Sequence, residues 1–167
     1  MSLKTVKGNL IELAKQGEFN VIAHQANCFC TMRSGIAPQI ADNFYSAFRA
    51  DSDTQRGDRG KLGDFTVGKE KSGLLVFNLY GQYGWDKTQG NYGTDEKALI
   101  SALNKMRNEL VSRATAFGPT YRIGFPKIGC GLGGGNWDNI QKAIEEIFDN
   151  ERVGFPLFDV TYVEYSV

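Results

Sequence analysis

The stretch KIGCGLGGGNW (residues 127–137) decides how the rest of the chain is interpreted. It matches the dinucleotide-binding pattern G-x-G-x-x-G at Gly129, Gly131 and Gly134. That pattern is expected between a strand and a helix. TYRIGFP before it is typical of a strand, and WDNIQKAIEEIF after it has the apolar spacing of an amphipathic helix. The local context therefore fits a nucleotide-binding turn.

The position of this turn in the chain excludes the dinucleotide fold. There the glycine turn follows the first strand, and an acidic residue about 20 positions later holds a ribose. Here the turn lies near the carboxyl end, with room for one helix and one strand after it. No G-K-[ST] follows the glycines, so a P-loop is excluded as well. What remains is a loop almost without side chains before a helix, which predicts a phosphate or diphosphate cradle, or simply a tight turn.

Length and composition favour one domain covering residues 1–167. With 167 residues, 41% of them hydrophobic, the chain can build one substantial core. Nineteen basic residues balance nineteen acidic ones, so no net charge attracts it to nucleic acid or an anionic membrane. No apolar run reaches the roughly 20 residues that span a bilayer, and MSLKTVKG lacks the apolar core of a signal peptide. We expect a cytoplasmic protein with no membrane contact and no general nucleic-acid binding.

Three cysteines, Cys28, Cys30 and Cys130, cannot all pair within one chain, so reduced thiols are expected. His24, Cys28 and Cys30 form an H-x-x-x-C-x-C pattern that Cys130 could complete as a zinc site. Zinc-binding cysteines are more often spaced C-x-x-C, and a small apolar thiol is most often simply buried. We therefore expect neither a metal nor another cofactor.

Strand-like and helix-like segments alternate along the chain, which predicts a three-layer α/β/α domain with a central mixed sheet. Ligands of such folds bind beyond the carboxyl ends of the strands, so the loops after residues 26, 80 and 126 are expected at one rim. Apolar runs typical of strands occupy residues 19–26, 64–69, 73–81, 120–126 and 159–165, with a short strand LKTV near the start.

Three helical patterns lie between these strands. Residues 34–51 carry apolar side chains every four positions, and residues 94–114 begin with Thr94 as the expected N-cap. Residues 136–150 have one apolar face. The apolar residues expected to face the core in the first and third patterns are Ile36, Ile40, Phe44, Phe48, Trp137, Ile140, Ile144, Ile147 and Phe148.

A second loop at the same rim, between the strand NVIAHQA and the helix after Ser34, leads to a family resemblance. Four pieces carry it in order along the chain: VKGNL (6–10), IAHQAN (22–27), GIA (35–37) and the last glycine loop (126–137). With these pieces the chain resembles the macrodomain family over nearly its whole length. Members of that family bind ADP-ribose in a cleft at the carboxyl end of a mixed sheet.

The resemblance implies an ADP-ribose site formed by both loops. Asn9, with Leu10 beside it, would accept a hydrogen bond from the adenine amino group, where many members have Asp. Asn27, with Gln25 nearby, would orient a hydroxyl or a water at the distal ribose. Backbone N–H donors to the diphosphate would come from Ser34, Gly35, Ile36, Gly129, Cys130, Gly131, Leu132, Gly133 and Gly134. The alternatives are purely structural: a turn residue at Asn9, a strand-end cap at Asn27 and a helix entry at Gly35.

GCGLGGGNW and KGNL are most similar to the branch that contains ADP-ribose 1″-phosphate phosphatases and the hydrolases that remove ADP-ribose from glutamate or DNA. Those hydrolases use a lysine after the NLYG-type strand and, in some members, an aspartate in the glycine loop. The corresponding positions here are Gln82, or a neighbour of it, and Gly133. Without the amine there is neither a Schiff base with the opened ribose nor a strong cation beside the leaving group, which argues against the lysine route.

Phosphomonoester hydrolysis needs a positioned water or nucleophile, donors for the oxygens and a proton relay. His24, the single histidine, is the first candidate for base or nucleophile, with Asn27 orienting a water. The alternative is a hydrogen-bonded histidine in a buried strand, because alternation can point His24 away from the cleft. Gln25 and Gln82 could position the water or the ribose. Three aromatic residues could line the distal pocket or belong to the core: Tyr80, Tyr83 and Trp85.

The sequence therefore predicts a macrodomain that binds ADP-ribose and removes phosphate from ADP-ribose 1″-phosphate. Two other functions stay open. One is a non-catalytic reader of ADP-ribose, free or attached to protein; the other is an ADP-ribosyl hydrolase that acts on modified protein or nucleic acid through substrate-assisted water. They differ in whether a base lies within hydrogen-bond reach of the distal ribose.

Overall fold

A six-stranded mixed sheet forms the centre of the molecule, in a computed structural model that describes residues 3–84, 93–131 and 133–166. The strands are β1 (Lys4–Gly8), β2 (Val21–Ala26), β3 (Phe65–Lys69), β4 (Leu75–Tyr80), β5 (Tyr121–Phe125) and β6 (Phe158–Tyr165). Their order is β1-β6-β5-β2-β4-β3, and all neighbours are parallel except β3 and β4. Each strand expected from the sequence is present, including the short one near the start, which forms an edge.

Helices cover both faces of the sheet. They are α1 (Leu10–Lys15), α2 (Ala37–Asn43), α3 (Tyr45–Ser52), α4 (Glu96–Arg113) and α5 (Trp137–Ile147). The first three pack on one face around Ile22 and Ile40, and the last two pack on the other around Phe77 and Leu103. This is the three-layer α/β/α arrangement that the sequence predicts. None of the described helices is long and apolar enough to cross a membrane.

The helices differ in detail from the sequence expectation. The pattern at 34–51 is interrupted at Phe44, where the backbone leaves the helical region (φ −130°, ψ 85°), so α2 and α3 are separate. Phe48 lies on the solvent side of α3 and is 41% exposed. Asp95, not Thr94, caps α4, because its carboxylate accepts an N–H of the first turn.

The apolar face of α5 is buried as expected, with one exception. Trp137, its first residue, is half-buried and packs on the ring of Tyr162, with ring centroids 4.7 Å apart. The helix begins near the carboxyl ends of the strands, so its first turn is partly open to solvent.

Gly68 lets α3 lie directly on the edge strand β3. A Cβ at this position would overlap the carbonyl carbon of Ser46 and the backbone nitrogen of Ala47. A close approach of two backbones is possible because glycine has no side chain. The position of α3, and of every side chain that it carries toward the site, therefore depends on this glycine.

The carboxyl ends of β2, β4 and β5 meet at one rim. Strand β2 lies between β4 and β5, and Ala26 at its end pairs with Tyr80 at the end of β4. Since all three strands run in the same direction, the loops that follow them converge there. The sequence predicted this placement.

Candidate functional site

The glycine loop folds back on itself at the end of β5. Gly129 and Gly134 both have φ 73°, a left-handed conformation that favours glycine. The N–H of Gly135 donates to the Gly129 carbonyl at 2.8 Å, and the N–H of Gly134 to that of Gly131 at 3.2 Å. The N–H groups of Gly129, Gly131 and Gly133 have no acceptor among the described residues. These three groups are available to a ligand, whereas Gly134, also predicted as a donor, is not.

Three polar side chains, Gln25, Gln82 and Thr94, tie this loop to the ends of β2 and β4; we call them the polar clasp. Gln25 Nε2 donates to Gln82 Oε1 at 2.7 Å and to Thr94 Oγ1 at 2.9 Å. The Thr94 hydroxyl donates to the Gly129 carbonyl at 2.7 Å, and the Thr94 N–H to that of Gly133 at 2.9 Å. Gln25 and Gln82 therefore hold the loop in place, while the Gln25 Oε1 atom has no partner among the described residues.

The two positions that correspond to the hydrolase lysine and aspartate, Gln82 and Gly133, lie in or against the polar clasp. At Gln82 the amide oxygen and nitrogen are each bonded within the chain. At Gly133 a Cβ would overlap the Thr94 hydroxyl, so an aspartate would require the loop to move. Gly131, in contrast, faces open space. At these two described positions the chain therefore has no lysine or aspartate side chain for the hydrolase chemistry.

Asn27 organises the loop after β2. Its Oδ1 accepts the N–H of Phe29 at 2.8 Å, and its Nδ2 donates to Thr31 Oγ1 at 2.8 Å. This is the strand-end cap that the sequence left open as an alternative. One N–H and one lone pair of the Asn27 amide remain for a ligand.

The same loop reaches α2 through three backbone N–H groups that meet no acceptor in the described part of the chain, those of Ser34, Gly35 and Ile36. Gly35 has φ 61°, again a conformation that favours glycine. These groups lie at the same rim as the free N–H groups of the glycine loop. Two loops that follow strand ends of the same rim thus carry free backbone donors.

Two arginines that the sequence analysis did not single out border this loop. Arg33 and Arg56 line a concavity of about 280 Å³ together with Cys30, Thr31 and Ser34. Neither guanidinium forms an ion pair with a described carboxylate. The concavity is therefore positively charged, although the chain as a whole carries no net charge.

His24 does not face this rim, and its assignment as base or nucleophile is corrected. The side chain is fully buried, and its Nε2 lies 2.6 Å from Asn78 Oδ1. Asn78 in turn donates to the carbonyl of Ala47 in α3 at 2.9 Å. Burial lowers the pKa of His24 to about 4, so the ring is neutral at pH 7. Alternation along β2 directs His24 into the packing between the sheet and α3.

Asn9 and Leu10 have structural roles. Asn9 Oδ1 accepts the N–H groups of Ile11 at 3.0 Å and Glu12 at 3.2 Å, which caps α1, a helix that the sequence did not predict. The Leu10 side chain is buried in the core. Since the Asn9 oxygen already accepts two bonds, an adenine amino group would compete with the helix for it.

The aromatic residues considered for the distal pocket belong to the packing of the loops and core. Tyr80 is 1% exposed, and its hydroxyl donates to Asp51 Oδ1 at 2.7 Å. The Tyr83 ring packs under the guanidinium of Arg59, 3.8 Å from its centroid. Two further residues singled out from the sequence lie outside the described residues: Trp85 and Leu132.

The three cysteines do not gather around one point. The Cys28 thiol donates to the Gln82 carbonyl at 3.6 Å, Cys30 to that of Asp51 at 3.3 Å and Cys130 to that of Ile128 at 3.3 Å. Burial raises the pKa of Cys28 to about 11 and also raises that of Cys130. Within the described ranges, no three His, Cys, Asp or Glu side chains lie together as metal ligands. The backbone N–H of Cys130, predicted as a donor, is bonded to the Lys127 carbonyl at 3.2 Å.

A larger cavity, of about 820 Å³, lies at the opposite end of the sheet, between the β3–β4 turn and the loops before β2 and β5. Lys69, Gly73 and Arg122 are among its lining residues. We place the functional site at the carboxyl rim instead, because free backbone donors from two loops converge there. Ligands of open α/β sheets also bind at this end of the strands.

No family model matches the chain. The chain is 33% identical over 153 residues to an uncharacterized 17.5 kDa protein from the tk-vs intergenic region of Enterobacteria phage T4, with 87% of this chain and 89% of that protein covered.

Two solved structures show the same fold. The macrodomain of Thermus aquaticus DarG is 18% identical with a TM-score of 0.69, covering 99% of this chain and 98% of that one. Thermosipho africanus DarTG in complex with ADP-ribose is 14% identical with a TM-score of 0.64, covering 98% of this chain and 42% of that one. The sheet order, the flanking helices and the paired rim loops define a macrodomain. The chain belongs to the same family as the phage T4 protein and has the macrodomain fold.

Proposed function

We propose that the protein binds ADP-ribose between the loop of residues 27–36 and the glycine loop, and removes phosphate from ADP-ribose 1″-phosphate. The observation that supports the binding is the presence of free backbone N–H groups in both loops, which follow strand ends of the same rim. N–H groups presented by loops without side chains hold anions well, so the diphosphate would lie between them. Thermosipho africanus DarTG, which has the same fold, is in complex with ADP-ribose.

The positively charged concavity beside Ser34 supports a substrate with a further phosphate. Arg33 and Arg56 flank it and have no acidic partner among the described residues. A guanidinium stays charged at any ordinary pH and binds phosphate oxygens in pairs. Plain ADP-ribose has no anionic group beyond the distal ribose to place there, whereas ADP-ribose 1″-phosphate has one.

A non-catalytic reader of ADP-ribose is the second candidate. Gln82 favours it, because its amide oxygen and nitrogen already bond within the chain, and Asn27 keeps only one N–H and one lone pair for a ligand. In a reader, Arg33 and Arg56 would contact the protein to which ADP-ribose is attached. The same cleft would then serve binding alone.

Phosphate release from ADP-ribose 1″-phosphate, measured beside calorimetric titration with ADP-ribose, separates these candidates. The phosphatase predicts both turnover and binding. Replacing Arg33 and Arg56 by glutamine should raise KM for the 1″-phosphate at least about tenfold, or about 1.4 kcal/mol, while the Kd for ADP-ribose changes little. Arg49→Gln is the matched control, since Arg49 pairs with Asp53 on the surface of α3. Binding without release would favour the reader, and absence of binding would refute both.

A further inference from the structure

We infer that Asp51 is a catalytic residue of this cleft, which takes a proton from a water held in a small cavity behind the loop of residues 27–36. We call this space, lined among others by Asn27, Ser34, Asp51 and Gln82, the Asp51 cavity. The inference rests on the proposed function, because the water is the one that attacks the 1″-phosphate. Asp51 would act as the base, a role that the buried His24 cannot fill.

The Asp51 side chain is buried, and one of its two carboxylate oxygens accepts no hydrogen bond from the described residues. Asp51 lies near the end of α3 and is 2% exposed. Its Oδ1 accepts the Tyr80 hydroxyl at 2.7 Å. Its Oδ2 has no hydrogen-bond partner among the described residues. Oδ2 is not among the fully buried polar atoms that lack a partner in the described part of the chain, so it borders accessible space, and the cavity that Asp51 lines can hold a donor for it.

The Asp51 cavity suits a water molecule. Its volume is about 30 Å³, whereas one water needs about 10–15 Å³ measured in the same way. The amide, hydroxyl and carboxylate groups on its walls offer several hydrogen-bond partners, which a buried water requires. Arg33 and Ser34 line both this cavity and the positively charged concavity. The water would therefore lie next to the place proposed for the substrate phosphate.

The surroundings of Asp51 suit a base. Burial raises the pKa of Asp51, while the Tyr80 hydroxyl and the Lys61 ammonium act in the opposite direction. Lys61 lies in the turn after α3 and donates to Thr54 Oγ1 at 2.8 Å. From the loop after β2, the Cys30 thiol donates to the Asp51 backbone carbonyl. A raised pKa makes a carboxylate a stronger proton acceptor than an exposed one.

The step balances without a further reactant. The water oxygen bonds to phosphorus while the bond from phosphorus to the ribose 1″ oxygen breaks. The water proton passes to Asp51 and is then delivered to the leaving ribose oxygen, so the products are ADP-ribose and phosphate. Arg33 and Arg56 stabilise the charge on the phosphoryl oxygens during transfer. Asp51 ends the cycle as a carboxylate.

Asp51→Asn tests this role directly, with Asp53→Asn as its matched control. Asparagine keeps the shape of the side chain and can still accept the Tyr80 hydroxyl bond. We expect kcat for phosphate release to fall at least about 100-fold, the usual contribution of a general base, with the Kd for ADP-ribose within about threefold. Asp53 is exposed and pairs with Arg49, so its variant should match the wild type. Asp51→Asn turnover near that of the wild type would overturn the inference alone, whereas a wild type without turnover would overturn the proposed function and this inference with it.

Tyr80→Phe gives a second readout that a merely structural role would not move. The variant removes the donor that lowers the pKa of Asp51, so this pKa rises. Activity requires the carboxylate, so the acidic limb of the kcat/KM pH profile should shift to higher pH. Lys61 and the thiols of Cys28 and Cys30 remain in place in both proteins. Thermal unfolding shows that the variant is folded, and an unchanged limb would refute Asp51 as the base.

Discussion

Thr94→Val is the sharpest test of how the candidate site is held together. The Thr94 hydroxyl accepts a bond from Gln25 at 2.9 Å and donates one to the Gly129 carbonyl at 2.7 Å. Valine has nearly the same shape but lacks the hydroxyl. The backbone bond from Thr94 to Gly133 is kept. The substitution therefore separates the polar clasp from the glycine loop while leaving the backbone intact.

The two lost bonds set the expected magnitude. A hydrogen bond contributes about 1 kcal/mol net, so the loss is about 2 kcal/mol. The Gly129 carbonyl keeps its bond from Gly135, and Gln25 Nε2 keeps its bond to Gln82, although its second N–H loses its acceptor. In a domain of this size 1 kcal/mol corresponds to about 2–4 °C, which predicts a Tm lower by about 4–8 °C.

Circular dichroism during heating measures the Tm, and calorimetric titration measures the Kd for ADP-ribose. If the whole loss falls on the loop that cradles the diphosphate, affinity weakens by up to about 30-fold. Thr94→Ser keeps the hydroxyl, so its free energies of unfolding and of ADP-ribose binding should stay within about 0.5 kcal/mol of the wild-type values. A Thr94→Val protein with wild-type Tm and Kd would refute the polar clasp as the support of the loop.

Three further outcomes follow from buried or glycine positions. His24 is protonated below about pH 6.5 in the unfolded chain but only near pH 4 in the folded protein. The free energy of unfolding of the wild type, measured in urea, should therefore fall by up to roughly 3 kcal/mol as the pH falls from 6.5 to 4. The free energy of unfolding of a His24→Gln variant should fall less over the same pH range. Parallel pH dependences in the two proteins would contradict a buried neutral histidine. Gly68→Ala should destabilise by about 1–3 kcal/mol or more in thermal unfolding, because its methyl group overlaps the backbone of α3; an unchanged Tm would contradict that contact. Gly131→Glu, in open space, should keep the wild-type Tm but weaken ADP-ribose binding by repulsion, and an equal Kd would remove Gly131 from the site.

The strands and the rim could be predicted from the sequence because their signals are local. Apolar runs bounded by glycine and polar residues located β2, β4 and β5, and parallel connections place their ends together. The cap of α4 could not be predicted as reliably. Thr94 and Asp95 are both good caps, and the fold uses Asp95 because Thr94 is engaged by the glycine loop.

His24 shows why a side chain's direction could not be predicted. Alternation establishes that His24 and Gln25 point to opposite faces of β2, but not which face borders the cleft. The structure directs His24 toward α3 and Gln25 toward the glycine loop. His24 was the more attractive candidate of the two from sequence, because an ordinary histidine titrates near neutral pH. In the fold it is fully buried.

The polar clasp and the Asp51 cavity combine residues that are distant in sequence. Gln25 and Thr94 are 69 positions apart, and Asp51 and Tyr80 are 29 apart. No local pattern marks such pairs, because the sheet brings them together only after the chain has crossed between strands. A polar residue at a strand end, such as Gln25, is the signal that sequence does offer for the rim.

Nuclear magnetic resonance titration of the ¹⁵N-labelled protein with ADP-ribose tests the central claim most directly. The account predicts saturable shifts of the backbone N–H groups of residues 34–36 and of Gly129, Gly131 and Gly133, which lack acceptors within the described chain. The N–H groups of Lys69, Gly73 and Arg122, beside the larger cavity at the other end of the sheet, should not shift. Shifts confined to that opposite cavity, or no shifts at all, would contradict an ADP-ribose cleft between the two rim loops.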